Sequence, residues 1–280
     1  MTIKHINILT NSADSLSKGY VIDKLALCWK KQGIKVTAGQ RLNKRADLGI
    51  LHIDLTCIDP LFVNKNNDAV PILNSKVLDI SKRQISLNLV HEDSEYQGSV
   101  IIKTNENFFG IPELKSRPIS IFKRIRRFLT NFVPWQLVRE LPMRTYPIIQ
   151  KKSDVPSWVW NRDDLVIERF TPEMDNNNYV LRSWLFIGNQ DYVVKITGSD
   201  PVVKAGNSTG YEILNTVPDE LRLRRKELSI DYGKFDYVIV DGKVILLDVN
   251  KTPTFSKKRK DGIDRNLMQL ASGIKFYKEI

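Results

Sequence analysis

The chain has 280 residues, 42% hydrophobic and 27% charged, the balance of a soluble globular protein with room for more than one subdomain. No apolar run is long enough to span a bilayer, and two cysteines, Cys28 and Cys57, supply neither a disulfide framework nor a zinc site. The formal net charge of +11 points to an anionic partner (nucleotide, nucleic acid, acidic substrate or anionic lipid) without choosing among them, and three scattered histidines, His5, His52 and His91, argue against a histidine-based metal site.

Taken in order, Met1 to Leu9 reads as a first strand and lacks the apolar core of a secretion signal, so the cytoplasm is the expected compartment. Gly19 to Gln32 carries Tyr20, Ile22, Leu25, Leu27 and Trp29 at roughly helical spacing, and Gly33 stops it. Ile34 to Ala38 and Asp47 to Leu55 are two further strands, so residues 1–74 are expected to form a small α/β domain with a parallel sheet. Its first turn, Thr10-Asn-Ser-Ala-Asp, lacks the glycine fingerprint of a dinucleotide fold, and no nicotinamide or flavin is assigned. Val77 to Leu89 is helix-like and contains Lys82. Gly98 to Lys103 is an apolar strand ending in a lysine, followed by a polar turn that reaches Gly110. A lysine at the end of a buried strand is costly unless it meets an anion, and the turn beyond it suits phosphate oxygens with its backbone N–H groups. The alternative is a lysine snorkelling to the surface.

From Pro112 to Pro156 the pattern changes. Ile119, Ile121, Phe122, Ile125, Phe128, Leu129 and Phe132 interleave with Lys123, Arg124, Arg126 and Arg127. Such a segment is either a basic amphipathic helix on a membrane or nucleic acid, or a helix packing its apolar stripe on the body with a solvated basic face. Trp135, Trp158 and Trp160 read as packing residues. Leu165 to Phe170 is a short strand broken at Thr171-Pro172, and Tyr179 to Ile187 is another, with Arg182 as a charge that must face an anion or a carboxylate. Asp200 to Asn207 is a polar loop, Asp219 to Leu228 a charged helix whose arginines read as a solvated face, Lys257 to Lys260 a solvated charge run, and Asp264 to Ile274 a closing helix.

The chemistry concentrates near the C-terminus. Phe235 to Val240 and Val244 to Val249 are apolar strands joined by Asp241-Gly242, a strong hairpin signal. Asp248 and Asn250, two apart, share a strand face, and antiparallel pairing is expected to bring Asp236 alongside them. Two carboxylates and an amide oxygen suit Mg²⁺ shared with substrate phosphates; an ordinary surface hairpin with polar ends is the alternative.

The order Lys82, Lys103 with its loop, Glu168-Arg169-Phe170, Arg182, Asn207, Asp236, Asp248-Val-Asn250-Lys-Thr-Pro253 resembles the ATP-grasp superfamily, over most of the chain from Asn74 to Pro253. The resemblance implies an α/β with α+β architecture: a pre-ATP-grasp α/β domain over 1–74, then an ATP-grasp domain over 75–280. Within that domain a lid subdomain at about 95–170 and a C-terminal subdomain at about 171–280 would clamp ATP. It implies further that Lys82 and Lys103 hold the nucleotide phosphates. The backbone of Glu168, Arg169, Phe170 and Thr171 would meet adenine, and Glu173 or Asp175 the ribose. Arg182, with Lys103, would stabilise charge at the transferring phosphoryl group. Asp236, Asp248 and Asn250 would carry Mg²⁺. The expected activity is an ATP- and Mg²⁺-dependent ligation of a carboxylate to an amine or other nucleophile through an acyl phosphate, on a small-molecule or peptide substrate of acidic tendency. Two alternatives stand beside it: an ATP-grasp kinase acting on a hydroxyl of a small molecule, and a basic membrane- or nucleic-acid-binding protein with a degenerate nucleotide site that docks through its 119–132 segment, peripheral membrane contact being favoured over nucleic acid. The sequence departs from the family ending at Asp248, one methylene shorter than the usual glutamate, and at Thr254, where a glycine is usual. In the loop after Lys103, bulky Phe108 and Phe109 precede the one clear glycine, Gly110.

Overall fold

The computed structural model describes residues 2–11, 19–66, 70–115, 117, 119–254 and 263–278. The Lys257–Lys260 charge run and most of the first turn, Thr10 to Asp14, lie outside the described residues. In chain order the elements begin with β1 (His5–Leu9), α1 (Val21–Lys31), β2 (Lys35–Gly39), β3 (Leu48–Leu51), α2 (Pro60–Asn64) and β4 (Ile72–Leu73). They continue with α3 (Lys82–Ile85), β5 (Val100–Thr104), α4 (Ile121–Leu129), α5 (Trp135–Val138), β6 (Ile148–Ile149), α6 (Ser157–Trp160) and β7 (Leu165–Arg169). The rest are β8 (Glu173–Asp175), β9 (Asn178–Ile187), β10 (Gln190–Gly198), β11 (Ser208–Leu214), α7 (Asp219–Glu227), β12 (Tyr232–Val240), β13 (Lys243–Asn250) and α8 (Ile263–Ser272). No helix among the described residues is long and apolar enough to cross a membrane.

The chain divides at other points than residue 74. One compact unit holds residues 1–54, 58–78 and 173–280, and the other holds 55–57 and 79–172. In the first unit the opening strands form a parallel sheet in the order β2-β1-β3-β4, as their apolar runs predict. The later strands form an antiparallel sheet, β11-β10-β9-β12-β13, with β8 on β9. Both sheets feed a single core. Ile6, Ile8, Leu25 and Trp29 pack with Leu185, Val194 and Tyr232 of the second sheet and Leu267 and Leu270 of α8. The Trp29 indole N–H donates to the Ala271 carbonyl at 2.8 Å, so its one polar atom is satisfied inside the core.

The second unit is a small antiparallel sheet, β6-β5-β7. Val90, Val100, Ile102, Val159, Leu165 and Ile167 form its core, and Trp135, Trp158 and Trp160 pack against it, as packing residues should. Two expectations need correction. The helix expected over Val77 to Leu89 shrinks to α3, because Asp79 accepts the Ser81 N–H at 2.7 Å and Ser86 the Asn88 N–H at 3.2 Å, and such local side-chain bonds compete with helix. The arginines of α7 are not all solvated: Arg225 lies 4.1 Å over the Phe186 ring and donates to the Ile230 and Asp231 carbonyls.

Asn74, fully buried with φ 63°, ties the parallel sheet to the start of β12. Its side-chain oxygen accepts from the Asp231 and Tyr232 N–H groups at 2.9 and 3.1 Å, and its amide donates to the Tyr232 carbonyl at 2.7 Å. Replacing it leaves buried backbone groups unmet at about 1–3 kcal/mol each. Asn74→Leu should therefore lower the unfolding free energy by roughly 3 kcal/mol, read as a lower urea midpoint at unchanged slope.

Candidate functional site

Strand alternation sorts the antiparallel sheet into two faces. On β9, Leu181, Ser183 and Leu185 point one way; Arg182, Trp184 and Phe186 point the other. The ladder carries this across: Asp236 pairs with Ser183 and Tyr237 with Arg182. Asp236 therefore shares the Ser183 face, and Arg182 lies on the opposite one.

The hairpin turn forms as its Asp-Gly sequence demands, with Asp241 at φ 51° and Gly242 at φ 74°, both left-handed. From the turn outward Val240 pairs with Lys243 and Tyr237 with Leu246. Continued without interruption, that count would set Asp236 against Leu247 and turn Asp248 to the wrong face. Instead the register shifts between Asp236 and Tyr237, and Asp236 pairs with Asp248. The extra residue is Leu247, a β-bulge in β13. The bulge is what brings Asp236, Asp248 and Asn250, together with Lys234, onto one face.

Toward one end, this face is buried against the core; toward the other it opens as a cleft of about 310 Å³ lined by Leu181, Ser183, Val194, Ile196, Lys204, Lys234, Asp236 and Thr254 among others. Directly opposed carboxylates repel, and cationic and hydroxyl groups answer the charge here. The Lys234 ammonium lies 2.6 Å from Asp236 Oδ2 and the Ser183 hydroxyl donates to Oδ1 at 2.5 Å. In the same cleft burial lowers the pKa of Lys204, against the opposing pull of Asp200.

Mg²⁺ fits this face in part. Two cross-strand carboxylates are present, yet no group of three or more His, Cys, Asp or Glu residues suited to a metal occurs among the described residues. The Asn250 oxygen already accepts the Thr252 N–H at 2.7 Å. A cation here would rest on Asp236 and Asp248 and take its remaining oxygens from phosphates and water, the usual habit of Mg²⁺.

The segment after Asn250 is locked into the N-terminal sheet's surroundings. The Thr252 hydroxyl donates to Asp54 Oδ1 at 2.7 Å, the Tyr20 hydroxyl donates to Asp54 Oδ2 at 2.7 Å, and the Val21 N–H donates to the Pro253 carbonyl at 2.8 Å. Thr254 makes an antiparallel bridge with Tyr20, so the backbone there has no need of glycine.

The second unit gathers the two lysines around β5 and the turn that follows it. Lys103, on the same strand face as Glu168, places its ammonium 2.5 Å from Glu168 Oε2, with both side chains buried. Lys82, also buried, donates to the Glu106 carbonyl and to Asn107 Oδ1 at 3.3 and 3.2 Å. Phe108, Phe109 and Gly110 all have positive φ, and the Asn107 N–H donates to the Thr56 hydroxyl at 2.9 Å. The turn is thus held in an unusual shape from two sides.

No family model matches the sequence, and no curated protein does. Solved structures match over nearly the whole chain. A D-cycloserine synthetase is 10% identical, with 97% of this chain and 99% of that one covered at TM-score 0.52. A macrocyclase from Microcystis aeruginosa bound with its precursor peptide gives 10%, 97%, 99% and 0.52. A RimK-domain ATP-grasp protein from Sphaerobacter thermophilus gives 10%, 97%, 99% and 0.50.

The chain has the ATP-grasp fold.

On that ATP-grasp frame the expected residues separate into groups. Asp236, Asp248 and Asn250 come together on the cleft face. Lys103 lies on β5 and Lys82 reaches the turn after it, each held by its own partners. Arg182 does not join the carboxylates: it faces the other way, where Glu173 holds its guanidinium and also accepts the Ile239 N–H at 2.7 Å. Asp175 is likewise on that far face and pairs with Lys195 at 2.6 Å. At the expected adenine segment the Arg169 and Phe170 N–H groups already donate to the Asn88 and Ser99 carbonyls, so an adenine contact at those two amides has to displace a strand bond. Asn207 spends its side chain on its own loop, accepting the Lys204 N–H and donating to the Val202 carbonyl. Ser183, Lys204 and Lys234 line the candidate cleft and were not among the residues the sequence singled out. Lys234 was within reach, since it lies two residues before Asp236 and shares its face.

His52, beside Tyr20 with ring centroids 4.9 Å apart, is buried, and neither ring nitrogen has a hydrogen bond among the described residues. Burial, opposed by Asp54, lowers its pKa from 6.5 to about 4. The unfolded chain therefore takes up the proton first. Stability should be intact above pH 6.5, fall as pH drops toward about 4, and fall no further from this group below that. His52→Leu should remove this component, seen as a smaller loss of urea midpoint between about pH 7 and about pH 5 than in the parent protein.

Proposed function

We propose that the protein is an ATP- and Mg²⁺-dependent ligase joining a carboxylate to an amine or other nucleophile through an acyl phosphate. The observation that carries this reading is the bulge-set pair Asp236 and Asp248 on the open face of an ATP-grasp sheet. Structural neighbours include a synthetase and a macrocyclase bound with a precursor peptide, which supports a small-molecule or peptide substrate. The high positive charge of the chain favours an acidic one.

In this reading ATP supplies the phosphoryl group that activates the carboxylate. Phosphoryl transfer asks the protein for positioning and positive charge more than for covalent chemistry. Lys82 and Lys103 provide that charge at the β5 turn, with Lys103 exchanging its contact with Glu168 for a phosphate oxygen. Asp236 and Asp248 would hold Mg²⁺, which would bridge charge to the phosphates, and Lys234 is the present partner of Asp236 that such a cation would replace. Lys204 and Lys234 then remain as cleft cations toward the reacting anions. Arg182 has a structural part, bracing β9 against β8 through Glu173. The same fold also serves a kinase reading, in which a hydroxyl takes the phosphoryl group and no amine is consumed; no residue of the cleft favours it.

Calorimetry should show ATP binding that requires Mg²⁺ and is lost in Asp248→Ala and in Lys103→Ala. Absence of any Mg²⁺-dependent binding by the parent protein would remove both enzymatic readings. Arg182→Gln should keep ATP affinity within about threefold while costing on the order of 2–3 kcal/mol of stability, because it strands Glu173 beside a broken pair. If Arg182→Gln instead folds normally and loses nucleotide binding, the assignment of faces is wrong.

A further inference from the structure

Helix α4 is amphipathic, yet it is mounted the wrong way round for a helix of a globular protein. At 100° per residue Ile121, Phe122, Ile125, Phe128 and Leu129 share an arc of about 120°. Lys123 and Arg127 lie on the opposite side, and they are the ones that face the protein: Lys123 pairs with Asp164 at 3.0 Å and Arg127 with Glu140 at 3.4 Å. The apolar arc points outward, with Phe122 74% and Phe128 62% exposed, and Phe132 just beyond the helix 72% exposed. Arg124 and Arg126 are exposed and flank the arc on its two sides. The packing of an apolar stripe on the body, one of the two sequence readings, is therefore not what forms among the described residues.

We infer that α4 and the turn after it form a peripheral docking surface for an anionic lipid bilayer, with the phenylalanines entering the acyl boundary and Arg124 and Arg126 meeting headgroup phosphates. Three observations favour this occupant. Residues 119–139 contain no aspartate or glutamate, so pairing with a second copy along this helix would bring like charges together. The apolar side chains project outward from a helix crest, which a fluid interface accepts without a matching groove. Arginines bordering a Phe-rich and Leu-rich face are what an interfacial helix presents to phosphate. The helix has nine residues and cannot span a bilayer, so the contact is peripheral and reversible.

The test uses the full chain and vesicles of phosphatidylcholine alone or with added phosphatidylglycerol. Co-sedimentation is expected with the anionic vesicles, weaker binding with phosphatidylcholine alone, and release by salt. Phe122→Ser with Phe128→Ser should abolish it, and Arg124→Gln with Arg126→Gln should weaken anionic binding roughly 30-fold. All four side chains are exposed, and unchanged circular dichroism and urea midpoint will confirm that the variants fold. Failure of the parent protein to bind anionic vesicles, or equal binding by the phenylalanine variant, overturns the proposal. So does concentration-dependent dimerisation by the parent that the phenylalanine variant loses, which would assign the face to a second copy.

Discussion

One inserted residue governs the candidate site. A sheet strand has a side-chain period of two, so a register slip of one residue exchanges its faces. Leu247 supplies that slip in β13, and by doing so moves Asp248 and Asn250 from the Arg182 face to the Asp236 face. The pairing of the two carboxylates follows from it, while the Lys234 ammonium reaches the same face by the alternation of β12 itself. The arrangement is held at its outer end by Thr252 on Asp54 and by Thr254 on Tyr20, which bind the hairpin tail to segments far away in sequence.

The far face of the same sheet shows the other use of charge. Arg182, Glu173, Lys195 and Asp175 form pairs that tie β8, β9 and β10 together, and the Arg225 guanidinium lies over the Phe186 ring. That face also borders a cavity of about 830 Å³ lined by Trp184, Arg222, Arg225 and Phe276 among others. A charged residue inside an apolar strand thus has two explanations, ligand or lattice of internal pairs, and only the face on which it sits separates them.

In the second unit, buried lysines are made tolerable by specific partners. Glu168 neutralises Lys103, and the turn carbonyl and Asn107 receive Lys82. Breaking a buried pair is costly when one partner is left alone, so each lysine needs either its present partner or an anion in its place. Charge also marks the inner side of α4, where Lys123 and Arg127 pair with Asp164 and Glu140 opposite the exposed apolar arc.

Much of the fold was legible in the chain itself. Apolar runs and the Asp241-Gly242 turn marked β1, β5, β7, β9, β12 and β13; helical spacing marked α1 and α4; and the order of lysines and acids pointed to the ATP-grasp fold. These are local signals, fixed by backbone geometry within a few residues. Three features were decided only by tertiary structure. The bulge at Leu247 shows only in the paired strands, since a two-strand count outward from the turn sets Asp236 against Leu247 instead of Asp248. The face of Arg182 depends on the register of β12 against β9. The outward face of α4 is visible only in the folded chain, where the acids at 140 and 164 meet the cations on its inner side. Sequence periodicity tells which residues share a face; long-range pairing decides which way that face looks.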